Sequence, residues 1–358
     1  MDAKVGTAPR APAIRHQLRF EGSGGEYFKI WIVNLALTIV TLGIFSAWAK
    51  VRSKRYFYGN TWLADYNFDY HGAPLRILLG RLIALAFLLG YSATIHFAPL
   101  LTFVWVIFFL FASPWLVNAA LRFNARNSSY RNIRFNFEGG YWEAFGVYFL
   151  WGILAVITLF TTYPLARRAR DHYNINNHTY GSRYFEAKIP GWPMYKTYLL
   201  AALMFIGGLM IVGVVVGGAG VAGMDFKSIN PKQPLTMLRF MLLVGGAYMV
   251  LLVTLTTFTG TRVFNLALNH TVLGDRFHFE SSLSPGRMIW LVISNLVLTV
   301  ATLGLFYPWA AVRIARYRCE HFAVSGPDEM DNFVSESALA KGAIGEEVAS
   351  FFDVDIGL

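Results

Sequence analysis

The sequence predicts a polytopic α-helical membrane protein with internal repeats of helix, β-hairpin and two spans. About seven hydrophobic helices are expected, three of them re-entrant in one of two topologies, with a small β layer on the cytoplasmic side. Three observations favour this fold class: an apolar composition, long apolar runs and a recurring block. Hydrophobic residues make up 55% of the 358 residues and charged residues 15%, whereas a soluble domain has about 25% charged residues.

Long apolar runs supply four of the expected helices. They lie at Ile77–Phe97, Pro99–Leu121, Lys196–Met224 and Leu235–Gly260. Runs of about 18 or more apolar residues are long enough to cross a bilayer. Arg81 and Arg239 lie inside two of these runs. An arginine in the first turn of a span can snorkel to the interface, whereas a deeper one would contact an anion or a lipid phosphate.

A block of apolar residues that runs into basic residues supplies the other three helices. It reads "TLGIFSAWAKVRSKRY" at Thr41–Tyr56, "TLFTTYPLARRARDHY" at Thr158–Tyr173 and "TLGLFYPWAAVRIARY" at Thr302–Tyr317. An apolar helix precedes each block, and we call that helix with its block an A segment. The shared order of Asn, Thr, Gly, Trp, Arg and Tyr in the first and third copies argues against chance matching.

A second motif, in which aromatic and polar residues alternate, lies between the helices. Its copies are "NTWLADYNFDYHG" from Asn60, "NSSYRNIRFNFEG" from Asn127, "NHTYGSRYFEAK" from Asn177 and "NHTVLGDRFHFES" from Asn269, and "QLRFEG" precedes the first helix. Alternation around Gly, Asp or Asn indicates β-hairpins or edge strands. We therefore divide the chain into an N-terminal segment, two repeat units, a truncated third unit and an acidic tail, at 1–19, 20–121, 122–263, 264–326 and 327–358.

Two topologies are open for the A segments. If each crosses the membrane once, successive units are inverted, as in known transporter folds, and the basic clusters alternate between sides. If each instead breaks near "TLG" and returns, all clusters lie in the cytoplasm, as the positive-inside rule requires. The 15 residues of Tyr27–Thr41 span about 22 Å, less than a bilayer core of about 30 Å. The second topology is favoured, with the hairpins and the C-terminal tail in the cytoplasm.

The net charge of +10 is unevenly distributed. Residues 1–326 carry 30 Lys and Arg against 13 Asp and Glu, whereas residues 327–358 carry 1 against 8. A basic surface beside a membrane suits anionic lipid head groups. The expected partners are therefore the bilayer and its anionic head groups. Nucleic acid is not expected, because interfacial anchoring explains the mixed basic and aromatic stretches "RNIRFNF" and "RYFY".

Candidate functional residues fall into two groups. Six polar residues lie on one helix face of the first and third A segments: Asn34, Thr38, Thr41, Asn295, Thr299 and Thr302. In lipid, such a face either packs helices together or forms part of a polar path. Six cations are candidate contacts for an anion or a lipid head group: Arg81, Arg239, Lys50, Arg52, Arg167 and Arg313.

The sequence offers no catalytic or cofactor motif. No zinc-ligand spacing, Walker A loop, Rossmann glycine set or nucleophile elbow is present. The lone Cys319 has basic neighbours, Arg316 and Arg318, but no base partner in sequence. We therefore predict no catalytic residue, no metal, no cofactor and no enzymatic activity.

The stretches "EGSGGEYFKIWIVNLALTIVTLGIFSAWAKVRSKRYFYGNTW" and "FDYHGAPLRILLGR" resemble the YjgN-type bacterial inner-membrane proteins. The resemblance covers about residues 18–325. It implies a multi-span protein of the bacterial inner membrane. It supplies no substrate, cofactor or catalytic residue.

Two functional hypotheses follow. The first is non-enzymatic passage or gating of a small solute, ion or lipid, and it depends on the broken A segments and their polar faces. The alternative is a membrane-anchored scaffold or interaction protein, whose strands and acidic tail recruit a cytoplasmic partner. An enzyme ranks third.

Overall fold

The computed structural model describes residues 14–221 and 234–326. The acidic tail from residue 327 onwards lies outside the described residues, as do residues 1–13 and 222–233. Within the described ranges, helices occur in pairs and each pair is followed by strands.

Five helix pairs follow one another in the described part of the chain. Three are short: α1 (Gly24–Val40) with α2 (Ser46–Gly59), α5 (Tyr141–Phe145) and α6 (Trp151–Ile157) with α7 (Tyr163–Asn176), and α10 (Pro285–Ala301) with α11 (Tyr307–Glu320). Two are long: α3 (Pro74–Phe97) with α4 (Thr102–Arg126), and α8 (Gly191–Val221) with α9 (Pro234–Leu268). A 3-10 turn at Pro99–Leu101 precedes α4, and a π-helical turn at Gly146–Leu150 joins α5 to α6.

Eleven short strands alternate with these pairs. They are β1 (Ile14–Gln17), β2 (Arg19–Phe20), β3 (Thr61–Leu63), β4 (Tyr66–Tyr70), β5 (Ser128–Tyr130), β6 (Ile133–Phe137), β7 (His178–Tyr180), β8 (Arg183–Ala187), β9 (Thr271–Leu273), β10 (Phe277–Ser281) and β11 (Phe322–Gly326). Eight of them form four tight hairpins. Their turns hold residues with positive φ, such as Ala64 and Asp65 or Arg131 and Asn132.

All the strands join into one antiparallel sheet. Its order is β1-β11-β10-β9-β8-β7-β6-β5-β4-β3-β2. The two outermost strands, β1 and β2, are separated along the chain only by Leu18, whose amide donates to the Phe322 carbonyl at 3.0 Å. One bent N-terminal strand therefore pairs with β11 on one side and with β3 on the other. The sheet is a nearly closed barrel, which leaves almost no free strand edge.

This barrel corrects the predicted fold class. The expectation of a small β layer is wrong, because the hairpins pair edge to edge and curve around a shared interior. The expectation of about seven hydrophobic helices is also wrong. Four described helices are long and apolar enough to cross a membrane: Pro74–Phe97, Pro99–Arg126, Gly191–Val214 and Val244–Leu268. Tyr141–Ile157 and Pro285–Ala301 are apolar but shorter.

Each short pair reverses at the "TL" of its A segment through the same turn. The Gly43 amide donates to the Thr38 carbonyl at 2.8 Å, and the Leu42 amide donates to the Ile39 carbonyl at 3.1 Å. These two bonds define a Schellman motif, whose left-handed position usually holds glycine. Here the position holds leucine, with φ 49° at Leu42, 49° at Leu159 and 50° at Leu303.

Arginines fix the junctions where strands enter helices. Each donates to a backbone carbonyl at the end of a strand or just after it. The bonds are Arg55 to Tyr70 at 3.2 Å, Arg122 to Phe137 at 3.3 Å, Arg168 to Ile189 at 2.6 Å and Arg316 to Gly22 at 3.0 Å. A charge-assisted bond to a backbone carbonyl is stronger than a neutral one. These arginines therefore hold the helix pairs at one end of the barrel.

Candidate functional site

The barrel interior contains a cavity with a volume of about 470 Å³. Its wall is almost entirely apolar, and it is formed by alternate residues of the strands, which point inward. Five buried residues share this face: Val324 of β11, and the four residues that end the first strand of each hairpin, Leu63, Tyr130, Tyr180 and Leu273. The cavity is the site that best fits a small molecule, since ligand sites of about 300–1,000 Å³ are typically apolar with few polar groups.

A belt of phenylalanines lines the cavity. It consists of Phe68, Phe135, Phe185 and Phe279, one from each of the strands β4, β6, β8 and β10. Leu18, between β1 and β2, lines the same cavity at the equivalent position of the N-terminal strand. The ring centroids of Phe135 and Phe185 lie 6.3 Å apart, and those of Phe185 and Phe279 lie 5.7 Å apart. These rings are only partly buried. Their free faces therefore remain available to an apolar guest.

The tyrosine hydroxyls of the wall are bound to the barrel itself. Tyr130 donates to the Leu63 carbonyl at 2.7 Å, and Tyr180 donates to the Tyr130 carbonyl at 3.1 Å. Burial raises the pKa of Tyr180 above its ordinary value, so this phenol stays neutral. Both residues present aromatic surface to the cavity and no charge.

Polar groups cluster at the end of the cavity where helices meet strands. Asn174, His178 and Thr271 contribute to the lining there, beside Ile175 of α7 and Leu268 of α9. The Asn174 carbonyl contacts the His178 imidazole. Burial lowers the pKa of His178, so its neutral form is favoured at pH 7. Because α9 contains the candidate span Val244–Leu268, this end of the cavity borders a membrane-facing helix.

The six residues predicted to form a polar path lie within the short helix pairs, away from the cavity. Asn34 and Asn295 are buried, and the amide oxygen of each accepts from an arginine of the returning helix. The Arg52 to Asn34 distance is 3.0 Å, and the Arg313 to Asn295 distance is 2.6 Å. We call each of these pairs an Arg–Asn clamp. The Asn34 amide nitrogen is buried and has no hydrogen-bond partner among the described residues.

The threonines of the same faces make bonds inside their own helices. Thr38 donates to the Asn34 carbonyl at 2.6 Å, and Thr302 donates to the Leu298 carbonyl at 2.7 Å. Thr41 and Thr302 also accept from the Phe45 and Phe306 amides, both at 2.9 Å. Thr299 is half-buried on α10. The threonine hydroxyls at the turns therefore stabilise the reversal of the chain.

The predicted head-group cations have different surroundings. Lys50 is exposed on α2, and Arg81 of α3 contacts the Ser46 hydroxyl. Arg167 pairs with Asp171 at 3.0 Å, and burial raises the pKa of that carboxyl although the arginine opposes the rise. The side chain of Arg239 lies outside the described part of α9. The structure does not gather the five described cations into one site.

The middle short pair lacks the clamp. Trp151 stands where the first pair has Asn34, and Ala169 stands where it has Arg52, as the aligned blocks show. A second cavity of about 230 Å³ lies there, lined by Trp151, Leu165, Arg168, Ala169 and His172. Loss of both clamp partners therefore coincides with an open space.

The only cysteine, Cys319, is buried in α11. Burial raises the pKa of its thiol to about 11. The basic neighbours that could have activated it in sequence do not offset this desolvation. At neutral pH the thiol is protonated, which does not suit a nucleophile.

Comparison with known proteins gives a family. Residues 15–351 match the model of a family described as "Bacterial protein of unknown function (DUF898)". This match covers most of the chain. The chain belongs to this family.

Named relatives agree with the family match. The chain is 23% identical to "Inner membrane protein YjgN" of Salmonella typhimurium, over 87% of this chain and 89% of the relative. It is also 23% identical to proteins of that name from Escherichia coli O157:H7 and K12, over 91% of this chain and 93% of each relative. No solved structure matches the chain. Resemblance to the YjgN-type inner-membrane proteins is thus confirmed, and the family supplies no activity.

Sequence reasoning missed the cavity. The inward phenylalanines nevertheless occupy a regular position in the sequence. Each lies four residues before a fixed position in the short segment that joins a strand to the next helix, as Phe68 lies before Gly72 and Phe135 before Gly139. The motif "QLRFEG" places Leu18 at the same distance from Gly22. An alignment of these strand-to-helix segments, together with the number of hairpin motifs, would have indicated a barrel with an apolar interior.

Proposed function

We propose that this membrane protein takes up a lipid or another apolar molecule in its barrel, and that it passes or gates this molecule at the inner membrane. The observation that carries the proposal is the cavity of about 470 Å³ lined by the phenylalanine belt. Burial of an apolar guest is favourable by about 25 cal/mol per Å² of surface removed from water.

The position of the cavity supports a guest that comes from the bilayer. Ile175 and Leu268 belong to the last turns of α7 and α9 and line its helix-side end. An apolar molecule that leaves the membrane along α9 reaches this end without crossing bulk water. The few polar groups there, from Asn174, His178 and Thr271, suit the polar end of a lipid.

Lipid is favoured over an ion or a polar solute. The turn threonines bond within their own helices, and both buried asparagines accept from arginines. A cation on this path would meet the guanidinium groups of Arg52 and Arg313. The polar faces of α1 and α10 therefore support packing better than ion passage.

We also propose a multi-pass topology with the barrel and the C-terminal tail in the cytoplasm. One continuous sheet cannot be divided by a bilayer, so every hairpin lies on the same side. Each helix pair then leaves and returns to that side. The basic residues beside the barrel favour the cytoplasmic side.

Photolabelling tests lipid uptake. Membranes that contain the protein are loaded with a diazirine-bearing palmitate, irradiated and analysed by peptide mass spectrometry. We expect adducts on β6, β8 and β10 that excess unlabelled palmitate suppresses. Phe185→Gln should lower barrel labelling about tenfold, because a polar group then lies in the apolar wall. The matched control Tyr184→Gln changes the exposed neighbour on the same strand and should keep it.

Labelling confined to the membrane-spanning helices would contradict lipid uptake. So would equal barrel labelling in Phe185→Gln and Tyr184→Gln. Far-UV circular dichroism and thermal melting of both variants show whether the barrel has remained folded.

One observation favours the scaffold alternative. Ile14 and Gly326 are paired across β1 and β11, so both chain ends leave the barrel at one place. The segment after Gly326 is acidic, with 8 acidic residues against 1 basic. A scaffold predicts that deletion of residues 327–358 abolishes recovery of a co-purifying protein while palmitate labelling is unchanged.

A further inference from the structure

We propose that the second cavity, between α6 and α7, binds the phosphate of an anionic lipid. The choice of a lipid as the ligand rests on the proposed uptake of lipid by the barrel, whereas the phosphate site itself is argued from the residues of this cavity. The cavity measures about 230 Å³ and has five lining residues: Trp151, Leu165, Arg168, Ala169 and His172. None of these five carries a carboxylate, so nothing in the lining repels an anion.

Comparison of the three short pairs shows why this space is special. In the outer two pairs, an arginine of the second helix crosses to an asparagine of the first, at 3.0 Å for Arg52 and 2.6 Å for Arg313. In the middle pair, Trp151 and Ala169 occupy the corresponding places. A small alanine leaves room where the guanidinium would lie. The middle pair thus has space for an external partner where the others have an internal one.

The two basic side chains of the lining are held in place by the backbone. Arg168 donates through Nε to the Ile189 carbonyl at 2.6 Å. This bond uses Nε and orients the guanidinium group without engaging its two terminal nitrogens. A guanidinium held in this way suits bidentate binding of a phosphate. The Nε2 atom of His172 lies 3.2 Å from the Ile189 amide, which donates to it, and this contact orients the ring in the cavity wall.

The level of this cavity matches that of lipid head groups. Ile189 lies between β8 and α8, and α8 begins the candidate span Gly191–Val214. The contacts to Ile189 thus place Arg168 and His172 where the barrel meets the membrane. Tryptophan is enriched at this interface, which fits Trp151 in the wall. A basic pocket between helices at that depth is typical of lipid phosphate sites.

The same stripe of α7 connects the two cavities. Leu165, Arg168, His172 and Ile175 recur at helical spacing along one face, and Ile175 lines the barrel cavity. From Arg168 to Ile175 is about 10 Å along the helix axis. A head group at Arg168 would therefore lie within one lipid's length of the apolar cavity.

The test uses the full-length protein in nanodiscs of phosphatidylcholine with added phosphatidylglycerol, and native mass spectrometry counts the bound lipids. We expect a preference for phosphatidylglycerol that Arg168→Gln lowers about tenfold, the loss expected for a charge-assisted hydrogen bond. The double variant Trp151→Asn with Ala169→Arg rebuilds a clamp, fills the cavity and should lower the preference as much. Arg170→Gln removes a neighbouring α7 cation that does not line the cavity and should leave the preference unchanged.

Equal binding of the two lipids by the unmodified protein would overturn the proposal. Retained preference in the clamp variant would also overturn it, and that variant guards against misfolding caused by loss of Arg168. Displacement of phosphatidylglycerol by inorganic phosphate at about the same concentration would overturn the assignment to a lipid. Palmitate labelling of the barrel is measured in parallel. Loss of the lipid preference with intact labelling would contradict the head-group site alone, and loss of labelling with an intact preference would contradict the proposed function alone.

Discussion

At the residue scale, the Arg–Asn clamps join the two helices of the first and third short pairs. Asn295 is buried, accepts from Arg313 at 2.6 Å and donates to the Ala310 carbonyl at 3.2 Å. Removal of one partner leaves a polar group in an apolar setting, and this costs more than the bond itself contributes.

We therefore predict that Asn295→Leu lowers the free energy of unfolding by about 2–3 kcal/mol, because the Arg313 guanidinium and the Ala310 carbonyl lose a partner. Combining it with Arg313→Leu should cost less than the sum of the single changes, by about 1–2 kcal/mol. Denaturant unfolding in detergent measures the cycle. Thr299→Val, one turn along the same helix, is the control and should change stability by less than about 0.5 kcal/mol. Additive single costs would show that the clamp is not an energetic unit.

At the element scale, the turns of the A segments determine whether a helix continues or returns. Leucine at a left-handed position is strained, yet Leu42 and Leu303 adopt it with 94% and 95% of the residue exposed. Full exposure of an apolar side chain at a turn fits contact with lipid better than contact with water. The next residue, Gly43 or Gly304, has φ +93°, a conformation that a side chain disfavours.

We predict that Gly304→Ala destabilises the protein by about 1–2 kcal/mol, because alanine is strained at positive φ. Gly286→Ala is the matched control, since Gly286 lies in the first turn of α10, has open space around the position of an added Cβ and has no positive φ. The control should be neutral or stabilising by about 0.5 kcal/mol. Thermal melting of both variants measures the difference, and equal melting temperatures would contradict the assigned role of the turn.

Sequence reasoning reaches these elements unevenly. The apolar runs predict the long helices because length and composition alone define a candidate span. Breaks near Gly43 and Gly304 are visible because glycine marks a helix end. The clamps are not visible: the sequence indicates Asn34 and Asn295 as polar residues, and Arg52 and Arg313 as head-group contacts, without a link between them. That link depends on the angle at which the helix returns, and the sequence does not encode it locally.

At the scale of the whole molecule, the barrel is the feature that sequence patterns describe least well. Every hairpin is indicated by its own alternation of aromatic and polar residues. Closure of the barrel is not indicated by any local pattern. It depends on the N-terminal strand, which pairs with β11 through residues such as His16 and with β3 through Arg19. Pairing of residues some 300 positions apart, as Leu18 with Phe322, leaves no local signal. The boundaries of the three repeat units and the role of the acidic tail stay predictions.

The central claim is that one barrel holds every hairpin on the cytoplasmic side of the membrane. Single cysteines at Tyr66, Ser182 and His278, in a chain with Cys319→Ala, report it through labelling of intact cells with an impermeant thiol reagent. All three positions are exposed on the barrel, and Leu100→Cys, in the exposed 3-10 turn that joins α3 to α4, is the control. We expect Leu100→Cys to react from outside, while the barrel cysteines react only after the inner membrane is opened. Reaction of Ser182→Cys from outside, with the other two protected, would contradict the claim, because no single sheet could then contain all the hairpins.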